Sequence, residues 1–290
     1  MIYWITVNYY STELIQRLID SIVETCHGAS PQGINYQIII INNSPDDLSI
    51  HRLKSPSISV FDAPENIGFG RACNIGLTWV YQQDSQAIVW LINPDAYLSE
   101  NYLSPAINFF KSYPELSILG TVIYNNKGEL EFTEGQFHRK TGIIRIGNQL
   151  SEILQNQPYQ LTEWVSGCSL LINLKKFREC PQFDPNYFLY YEDFDFCLRY
   201  LNQGYQIGIT SQMQVFHETS SITQRNPNLK LQYSIYSYLL SLHKHTSKAV
   251  SLYWLFRISF IGLITILITP QKSWYKLKGV VNFIVKIYQK

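Results

Sequence analysis

Three acidic residues stand within four positions of the chain, framed by aromatic side chains: Glu192, Asp193 and Asp195. Carboxylates near the start of a helix are stabilised as anions, so a capping cluster would explain one or two of them. The third acid and the aromatic frame favour a functional site. Tyr190 and Tyr191, directly before the acids, could equally shape a ligand pocket or pack in the core.

Two polar residues, Asn93 and Asp95, follow the apolar run 87–92 and mark a second candidate site. A hard cation such as Mg²⁺ takes one or two carboxylates and completes its shell with phosphate oxygens and water. Considered alone, a turn with an acid after a proline explains this pair more simply. His217 lies 24 residues beyond Asp193, and it qualifies as a metal ligand only if the fold returns it to Asp95.

The elements that must position these groups alternate between strands and helices over residues 1–120. Apolar runs typical of buried strands occupy residues 3–8, 37–41, 58–62 and 87–92. Helical spacing of apolar residues is found at 13–25 and 68–82. This alternation predicts an α/β fold with a mostly parallel sheet and helices on both faces. Ligands of such sheets bind beyond the carboxyl ends of the strands, where the polar clusters at Asn8, 42–47 and 93–95 stand.

The pattern weakens over residues 124–160, where polar residues and glycine dominate. We expect hairpins or a mobile loop there, a usual location for acceptor recognition. A strong apolar pattern returns at 164–173, and residues 188–202 are predicted to form a helix that Gly204 ends.

Charge divides the chain into two unlike parts. Residues 1–218 contain 13 Lys and Arg against 22 Asp and Glu, whereas residues 219–290 contain 10 Lys and Arg and no acid. A basic region that is also apolar favours an anionic membrane surface over nucleic acid as its partner. The apolar stretch 250–269 is just long enough to span, but Arg257 near its middle favours a helix within one leaflet; the alternative is an ordinary core helix. The pattern at 274–290 predicts a further amphipathic helix.

Cysteine usage and the N-terminal residues bear on the cellular compartment. The five cysteines are odd in number and no pair has CxxC spacing, which favours a reduced, intracellular protein with neither a disulfide framework nor a zinc site. The opening MIYWITVNYYS lacks the basic start of a signal peptide and alternates like a buried strand. A cytoplasmic location is therefore expected.

Six segments in order and spacing resemble glycosyltransferase family 2, and most of all its rhamnosyltransferase-type branch, across about residues 1–222. The matching segments are 7–11, 41–47, 65–76, 91–96, 167–172, and 183–199 followed by His217. The resemblance implies a GT-A fold, with a nucleotide-sugar-binding half at 1–120 and an acceptor-binding half at 121–222. Residues 223–290 would then form a basic, apolar, helical region that associates with the membrane.

The activity that the resemblance implies is metal-dependent, inverting transfer of one sugar, with Mg²⁺ or Mn²⁺ as the cofactor. The donor is a nucleoside-diphosphate sugar, with dTDP-rhamnose the best single guess. A glycan or lipid-linked glycan is the expected acceptor, in the synthesis of a cell-surface polysaccharide. No nucleic acid is expected as a partner, and the protein is expected to lie peripherally on the inner face of the cell membrane.

Residue roles follow from the same resemblance, position by position. Asp193 matches the general base, while Asp95 and His217 match the metal ligands. The residues implied to line the donor are Asn8, Asn42, Asn43, Gly68, Arg71, Asn74, Asn93 and Asp95. The residues implied on the acceptor side are Trp164 and Gly167, which border the sugars, with Glu192 and Asp195, which position the acceptor or hold the helix.

Two positions depart from the family's pattern. Asn42 stands where Asp is usual, and Asn93 replaces the first Asp of the DxD-type metal motif, as is common in the rhamnosyltransferase-like branch. They motivate an alternative, a catalytically degenerate scaffold that binds a nucleotide sugar; the intact Asp95, Asp193 and His217 argue against it. A sugar-nucleotide pyrophosphorylase is disfavoured because residues 8–11 do not form a Gly-rich, basic phosphate loop.

Overall fold

The computed structural model describes residues 1–27, 36–218 and 227–288. Its first four strands are parallel and lie side by side in the order β3-β2-β1-β4. They are β1 (Ile2–Asn8), β2 (Tyr36–Asn42), β3 (Ile58–Asp62) and β4 (Ile88–Ile92), connected in part by helices α1 (Thr12–His27) and α2 (Phe69–Gln83). The predicted arrangement of parallel strands alternating with helices is confirmed.

These four strands are almost continuously apolar because a parallel sheet is covered on both faces. Every residue of β1 and of β4 is buried, and the rings of Trp4 and Trp90 stack across the two strands with centroids 4.3 Å apart. Polar side chains are left at the carboxyl ends of the strands, where Asn8 ends β1, Asn42 ends β2 and Asp62 ends β3.

The second half extends the same sheet with strands of mixed direction. β11 lies antiparallel between β4 and β6 and so joins the two halves, while β12 runs parallel to β6 and pairs at its end with β5. The strands of this half are β5 (Ala96–Tyr97), β6 (Leu116–Asn125), β7 (Leu130–Phe132), β8 (Glu134–His138), β9 (Ile143–Gly147), β10 (Gln160–Leu161), β11 (Ser169–Asn173) and β12 (Gln206–His217). Its helices are α3 (Leu103–Ser112), α4 (Glu152–Asn156) and α5 (Glu192–Asn202).

The region 124–160 and the helix that carries the acids compare differently with their predictions. The region 124–160 forms hairpins, since β7 pairs with β6 and β8 pairs with β9. The helix predicted at 188–202 begins only at Glu192, because Tyr190 and Tyr191 adopt positive φ angles of 68° and 61° that no right-handed helix accepts. It ends near Gly204, whose φ of 91° suits a residue without a side chain.

The C-terminal region forms three helices, α6 (Pro227–His245), α7 (Lys248–Ile264) and α8 (Pro270–Tyr288). Residues from all three meet Tyr187 in a small apolar cluster, whereas Leu242 of α6 joins the main core. Residues 248–267 are long and apolar enough to cross a membrane by length and composition, with a mean hydropathy of 1.9. The C-terminal region is therefore packed on the preceding part of the chain through α6.

Candidate active site

A polar network closes the carboxyl ends of β1 and β2. The side-chain amide of Asn8 donates to Asn42 Oδ1 at 2.9 Å and to Asp47 Oδ2 at 3.1 Å, and the amide of Asn42 donates to Asp62 Oδ1 at 2.8 Å. Both asparagines are fully buried. Their side chains therefore shape this edge of the sheet, the predicted donor end. Asp62, which was not predicted as a site residue, is an exposed member of the same network.

Asp47 orders the loop that follows this network. It caps the short 3₁₀ helix Leu48–Leu53 by accepting from the backbone N–H of Ser49. Burial raises the pKa of Asp47, but hydrogen bonds from Ser49, Asn8 and Thr12 outweigh burial and lower it below the ordinary value. A stable anion therefore closes one end of the network.

Asn43 and Gly68 connect the end of β2 to the start of α2. Asn43 donates to Asn66 Oδ1 at 3.0 Å and accepts from the N–H of Ile67 at 2.9 Å. Gly68 has a φ of 87°, and a Cβ atom on it would lie 2.3 Å from the carbonyl oxygen of Phe188. Only glycine fits at this position.

Arg71 and Asn74, predicted to lie along the donor, contact the loop that precedes α5. Arg71 Nε donates to the Pro185 carbonyl at 2.6 Å. The Asn74 side chain donates to the Phe183 carbonyl at 2.9 Å and accepts from its N–H at 2.7 Å. Through Arg71 and Asn74, helix α2 therefore holds the segment that leads to the acidic cluster.

The fold returns His217 to Asp95, which is the condition set for His217 as a metal-ligand candidate. The last residue of β12 pairs with Ala96 of β5, and His217 Nε2 lies 3.2 Å from Asp95 Oδ1. The other ring nitrogen, Nδ1, lies 3.3 Å from Glu131 Oε2. Burial lowers the pKa of His217, but contacts with Cys168, Asp95 and Glu131 outweigh burial and raise it, so the site favours a positive charge.

This pair fits a divalent cation only in part. Within the described residues no group of three His, Cys, Asp or Glu side chains is arranged to hold a metal ion. One carboxylate and one imidazole suit Mn²⁺ or Mg²⁺ when phosphate oxygens and water complete the shell. A carboxylate on the second ring nitrogen, as Glu131 provides, is the usual means of orienting a metal-binding histidine.

Asp193 is held by two backbone donors at the start of α5. The N–H of Gly167 donates to Oδ2 at 2.8 Å, and the N–H of Phe194 donates to Oδ1 at 2.8 Å. Burial raises the pKa of this half-buried carboxyl, although both N–H groups act in the opposite direction. A fixed carboxylate of raised pKa is suited to accept a proton from a hydroxyl.

Glu192 lies beside Asp193 but is buried more deeply. Burial and the neighbouring Asp193 raise the pKa of Glu192 to about 8. Its Oε2 atom is buried and has no hydrogen-bond partner in the described part of the chain. Neutral Glu192 next to anionic Asp193 is the arrangement expected when two adjacent carboxyl groups compete for one charge.

Asp195 is placed differently from its two neighbours. It is fully buried and accepts hydrogen bonds from Arg199 at 2.7 Å and from His245 at 2.9 Å, with the Lys244 ammonium as a third partner. Burial raises the pKa of Asp195, but these partners outweigh burial and lower it to about 2. Of the two roles implied for Asp195, holding the helix is the one that its contacts describe.

Trp164 and Gly167, predicted to border the sugars, both lie beside the first turn of α5. The indole of Trp164 meets the ring of Phe194 edge to face, with centroids 5.8 Å apart. A Cβ atom on Gly167 would lie 3.2 Å from the Cβ of Asp193. The carbonyl of the next residue, Cys168, accepts from the N–H of Asn93 at 3.0 Å, which joins this turn to the segment that carries Asp95.

Cys168 and Glu131 are the site residues that sequence reasoning missed. Cys168 lies inside the apolar pattern 164–173 and had no partner at a ligand spacing, while Glu131 lies in the region 124–160, where the pattern is weakest. Only β7, which places Glu131 beside the end of β12 through its pairing with β6, brings this carboxylate to the site.

Comparison with known proteins agrees with the family that the sequence motifs resemble. The family model described as "Glycosyl transferase family 2" matches residues 3–180. A "Low-salt glycan biosynthesis hexosyltransferase Agl10" of Haloferax volcanii is 22% identical over 73% of the chain and 66% of its own length. An "N-acetylglucosaminyl-diphospho-decaprenol L-rhamnosyltransferase" of Mycobacterium tuberculosis is 23% identical over 66% of each protein. The "Rhamnosyltransferase WbbL" of Escherichia coli is 22% identical over 75% of the chain and 83% of its own length.

Solved structures confirm the predicted GT-A fold. A mannosyltransferase from Pyrobaculum calidifontis in complex with GDP-Man and Mn²⁺ superposes with a TM-score of 0.56 at 11% identity, covering 98% of the chain and 86% of that protein. GalNAc-T7 with UDP, GalNAc and Mn²⁺ superposes with a TM-score of 0.57 at 14% identity, covering 75% of the chain and 43% of that protein.

Proposed function

Since the chain belongs to glycosyl transferase family 2, we propose that it transfers a sugar from a nucleoside-diphosphate donor to a glycan hydroxyl with inversion at the anomeric carbon. The acceptor hydroxyl gives its proton to Asp193. Direct in-line displacement inverts the anomeric carbon because the hydroxyl attacks from the side opposite the departing diphosphate.

The observation that carries this proposal is the meeting of two clusters at consecutive residues. Gly167 binds Asp193 through its N–H, and the carbonyl of the next residue, Cys168, accepts from the N–H of Asn93 at 3.0 Å. Asn93 stands two positions before Asp95, which contacts His217. Consecutive Cα atoms are about 3.8 Å apart, so the backbone that holds the proposed base adjoins the backbone beside the proposed metal ligands. A reacting anomeric carbon needs a base on one side and a stabilised leaving group on the other.

The chain's own residues would then divide the work. Asp193 orients the acceptor hydroxyl and takes its proton, while Trp164 helps to wall the acceptor side. Asn8, Asn42, Asn43, Gly68, Arg71, Asn74 and Asn93 are proposed to shape the donor end. A divalent cation held by Asp95 and His217, when bound, supplies positive charge to the leaving diphosphate.

The proposed donor is dTDP-rhamnose and the proposed acceptor is a lipid-linked glycan in cell-surface polysaccharide synthesis. Support comes from the two rhamnosyltransferases among the relatives, one of which acts, by its name, on a decaprenol-linked N-acetylglucosaminyl diphosphate. A membrane surface next to the site would bring such an acceptor to Asp193.

The proposed membrane surface is the outward face of α7 and the turn after it. Its exposed apolar side chains include Phe256, Phe260, Leu263, Leu267 and Ile268, of which Leu267 is 93% exposed. Exposed apolar surface of this extent marks an interaction site. The ten basic and no acidic residues of 219–290 favour an anionic lipid surface as the partner.

We propose that this surface lies in one leaflet rather than spanning the membrane. Gly262 of α7 is packed on Leu277 of α8. If α7 crossed the bilayer, α8 would have to enter it too, together with Lys276 and Lys278. Arg257, the one charge within the apolar stretch, lies over the ring of Trp254 at 4.8 Å. Trp254 is itself bonded to the Thr141 carbonyl, which keeps Arg257 at the protein side.

The test of the activity is binding and slow hydrolysis of a panel of nucleotide sugars, with Mg²⁺ or Mn²⁺ and with EDTA. We expect one donor to bind and to hydrolyse in a metal-dependent manner, and Asp95→Asn to weaken that binding. Binding of one donor without any turnover, to it or to a supplied acceptor, would favour the degenerate scaffold. No binding of any donor by folded protein would overturn the proposal.

The test of the membrane surface is co-sedimentation with vesicles containing anionic lipid. We expect Leu267→Asp together with Ile268→Asp to release the protein, and added salt to weaken the binding of the wild type. Ile153→Asp on α4 is the matched control, because Ile153 is also apolar and 50% exposed. Retention of the double variant on vesicles would show that α7 is not the anchor.

A further inference from the structure

Helix α6 contacts the loop before α5 along the whole of one face. Tyr233 stacks on Phe188 with ring centroids 4.6 Å apart, and Ser237 donates to the Leu189 carbonyl at 2.9 Å. Ser241 hydrogen-bonds the hydroxyl of Tyr187 at 3.1 Å. These α6 residues recur at every fourth position, so a single face of the helix follows the loop toward the acidic cluster.

At the end of this face, Lys244 and His245 contact Asp195. His245 Nε2 lies 2.9 Å from Asp195 Oδ1, and the Lys244 ammonium binds the same oxygen and also Asp184 Oδ2 at 2.8 Å. Asp195 is fully buried, and the imidazole of His245 is 4% exposed. Two donors from α6 therefore converge on one buried carboxylate oxygen of α5.

The other strong partner of Asp195 connects α5 to a different part of the chain. Arg199 of α5 bonds Asp195 Oδ2 at 2.7 Å, and its Nη2 donates to the Gln182 carbonyl at 2.7 Å, in the segment before α5. The contacts of Asp195 with Lys244 and His245 are those that tie α5 to α6.

The position of α5 matters because its first turn carries Asp193. The N–H of Asp195 bonds the carbonyl of Tyr191 at 2.9 Å, which makes Asp195 part of the same turn. Tyr190 and Tyr191, directly before that turn, hold left-handed backbone angles that are unfavourable for residues with side chains. Such a conformation persists only where surrounding contacts enforce it.

We infer that Lys244 and His245 are positioning residues for Asp193: by binding Asp195 from α6, they hold the first turn of α5 so that the Asp193 carboxylate faces the acceptor. This inference rests on the proposed role of Asp193 as the base. It makes the C-terminal region part of the catalytic machinery and not only a membrane anchor.

The test measures transfer from dTDP-rhamnose to a water-soluble, short-chain analogue of an N-acetylglucosaminyl diphosphate lipid, so that membrane binding does not enter. We expect Lys244→Met combined with His245→Gln to lower kcat about 10- to 100-fold, since small misplacements of a reacting group have effects of this size. The dissociation constant of the donor should stay within about 2-fold, because α6 contacts none of the proposed donor residues through these two side chains.

Three further variants separate positioning from a general loss of structure. Lys244→Arg keeps the charge and should retain most of kcat, and Lys248→Met, which changes an exposed lysine at the start of α7, should leave kcat unchanged. In an Asp193→Asn background the double substitution should lower kcat no further, because residues that act through one group are not additive. The inference would be overturned if the double substitution lowered kcat by the same factor in the Asp193→Asn background. It would also be overturned if the double substitution weakened donor binding alone.

Hydrogen exchange supplies a readout that does not depend on activity. The amides of the first turn of α5 should exchange about 10-fold faster in the Lys244→Met variant than in the wild type, at a temperature where both are folded. Unchanged exchange there would refute the inference even if transfer is never observed. If Asp193→Asn turned over like the wild type, Asp193 would not be the base and the proposed function would fail. The exchange result would then still show whether Lys244 holds the first turn of α5.

Discussion

The donor end of the sheet and the segment that carries the acidic cluster are stabilised in different ways. At the donor end, Asn8 and Asn42 are neutral, fully buried and hydrogen-bonded to residues of adjacent strand ends. Around α5, charged groups are buried instead, and the carboxyl groups of Glu192 and Asp195 have pKa values displaced in opposite directions. The donor end is therefore held by neutral hydrogen bonds and forms a rigid edge, whereas the region around α5 is held by contacts between buried ionisable groups.

This difference agrees with the proposed placement of the chemistry near α5. Neutral amides can define the shape of a nucleotide site without changing protonation between pH 5 and 9. A carboxylate that must gain and lose a proton needs a raised pKa, and burial next to other acids provides it. Left-handed Tyr190 and Tyr191 add backbone strain in the same segment, as is common at functional sites.

The largest expected effect tests whether the charged region is the reactive one. Asp193→Asn keeps the size of the side chain and its acceptance from Gly167, but it removes the proton acceptor. We expect kcat to fall about 10³-fold with donor binding retained, within the range measured for general bases. Asp84→Asn, a half-buried acid at the end of α2, is the control and should not change kcat. Turnover within about 3-fold of the wild type would assign the base elsewhere.

The next effect belongs to the donor end and concerns stability. Asn8→Ala removes a side chain that bonds Asn42, Asp47 and the N–H of Ser11 inside the protein. We expect a loss of about 3 kcal/mol in the free energy of unfolding, since several buried partners lose their bonds at once. Denaturant titration measures it, with Asn101→Ala as a control that removes one half-buried bond. Equal losses for both variants would mean that the network is not the rigid edge described above.

The place of the predicted donor residues at the strand ends follows from the sequence because the signals there are local. Apolar strands that stop at polar residues specify both the sheet and the place of Asn8, Asn42, Asn93 and Asp95, and the return of His217 to Asp95 needed only one further strand. Parallel strands of one sheet bring such ends to a common edge. The comparison with solved structures confirms the fold that these signals predict.

The surroundings of α5 could not be predicted in the same way. The partners of Asp195 lie 49 and 50 residues further along, on a helix that the sequence marks only as apolar and basic. The helix begins four residues later than predicted because Tyr190 and Tyr191 adopt left-handed backbone angles. The residue type tyrosine does not predict such angles. Contacts between distant elements override local propensity here.

A smaller effect tests the connection between the two regions. Asn74 of α2 bonds both the carbonyl and the N–H of Phe183, in the loop that leads to the acids. Asn74→Ala should lower the free energy of unfolding by about 2 kcal/mol, or about 1 kcal/mol for each bond lost. Asn156→Ala, on the exposed face of α4, should change it little. If Asn74→Ala is neutral for stability, the two regions are held together by other contacts.

A change of pH tests the displaced charges of the two regions directly. The pKa of Glu192 is raised to about 8, so the folded state keeps a proton that the unfolded chain loses above about 4.5. Glu192 therefore costs stability progressively as pH rises from about 4.5 to about 8. Glu192→Gln removes this cost, so its stability relative to the wild type should increase between pH 5 and 9. Asp47→Asn should instead differ from the wild type by a constant amount between pH 5 and 9, since the lowered pKa of Asp47 confines the loss of its contribution to pH values below about 3.8. Urea titrations at each pH decide the matter, and parallel curves for Glu192→Gln and the wild type would show that Glu192 does not carry a displaced proton.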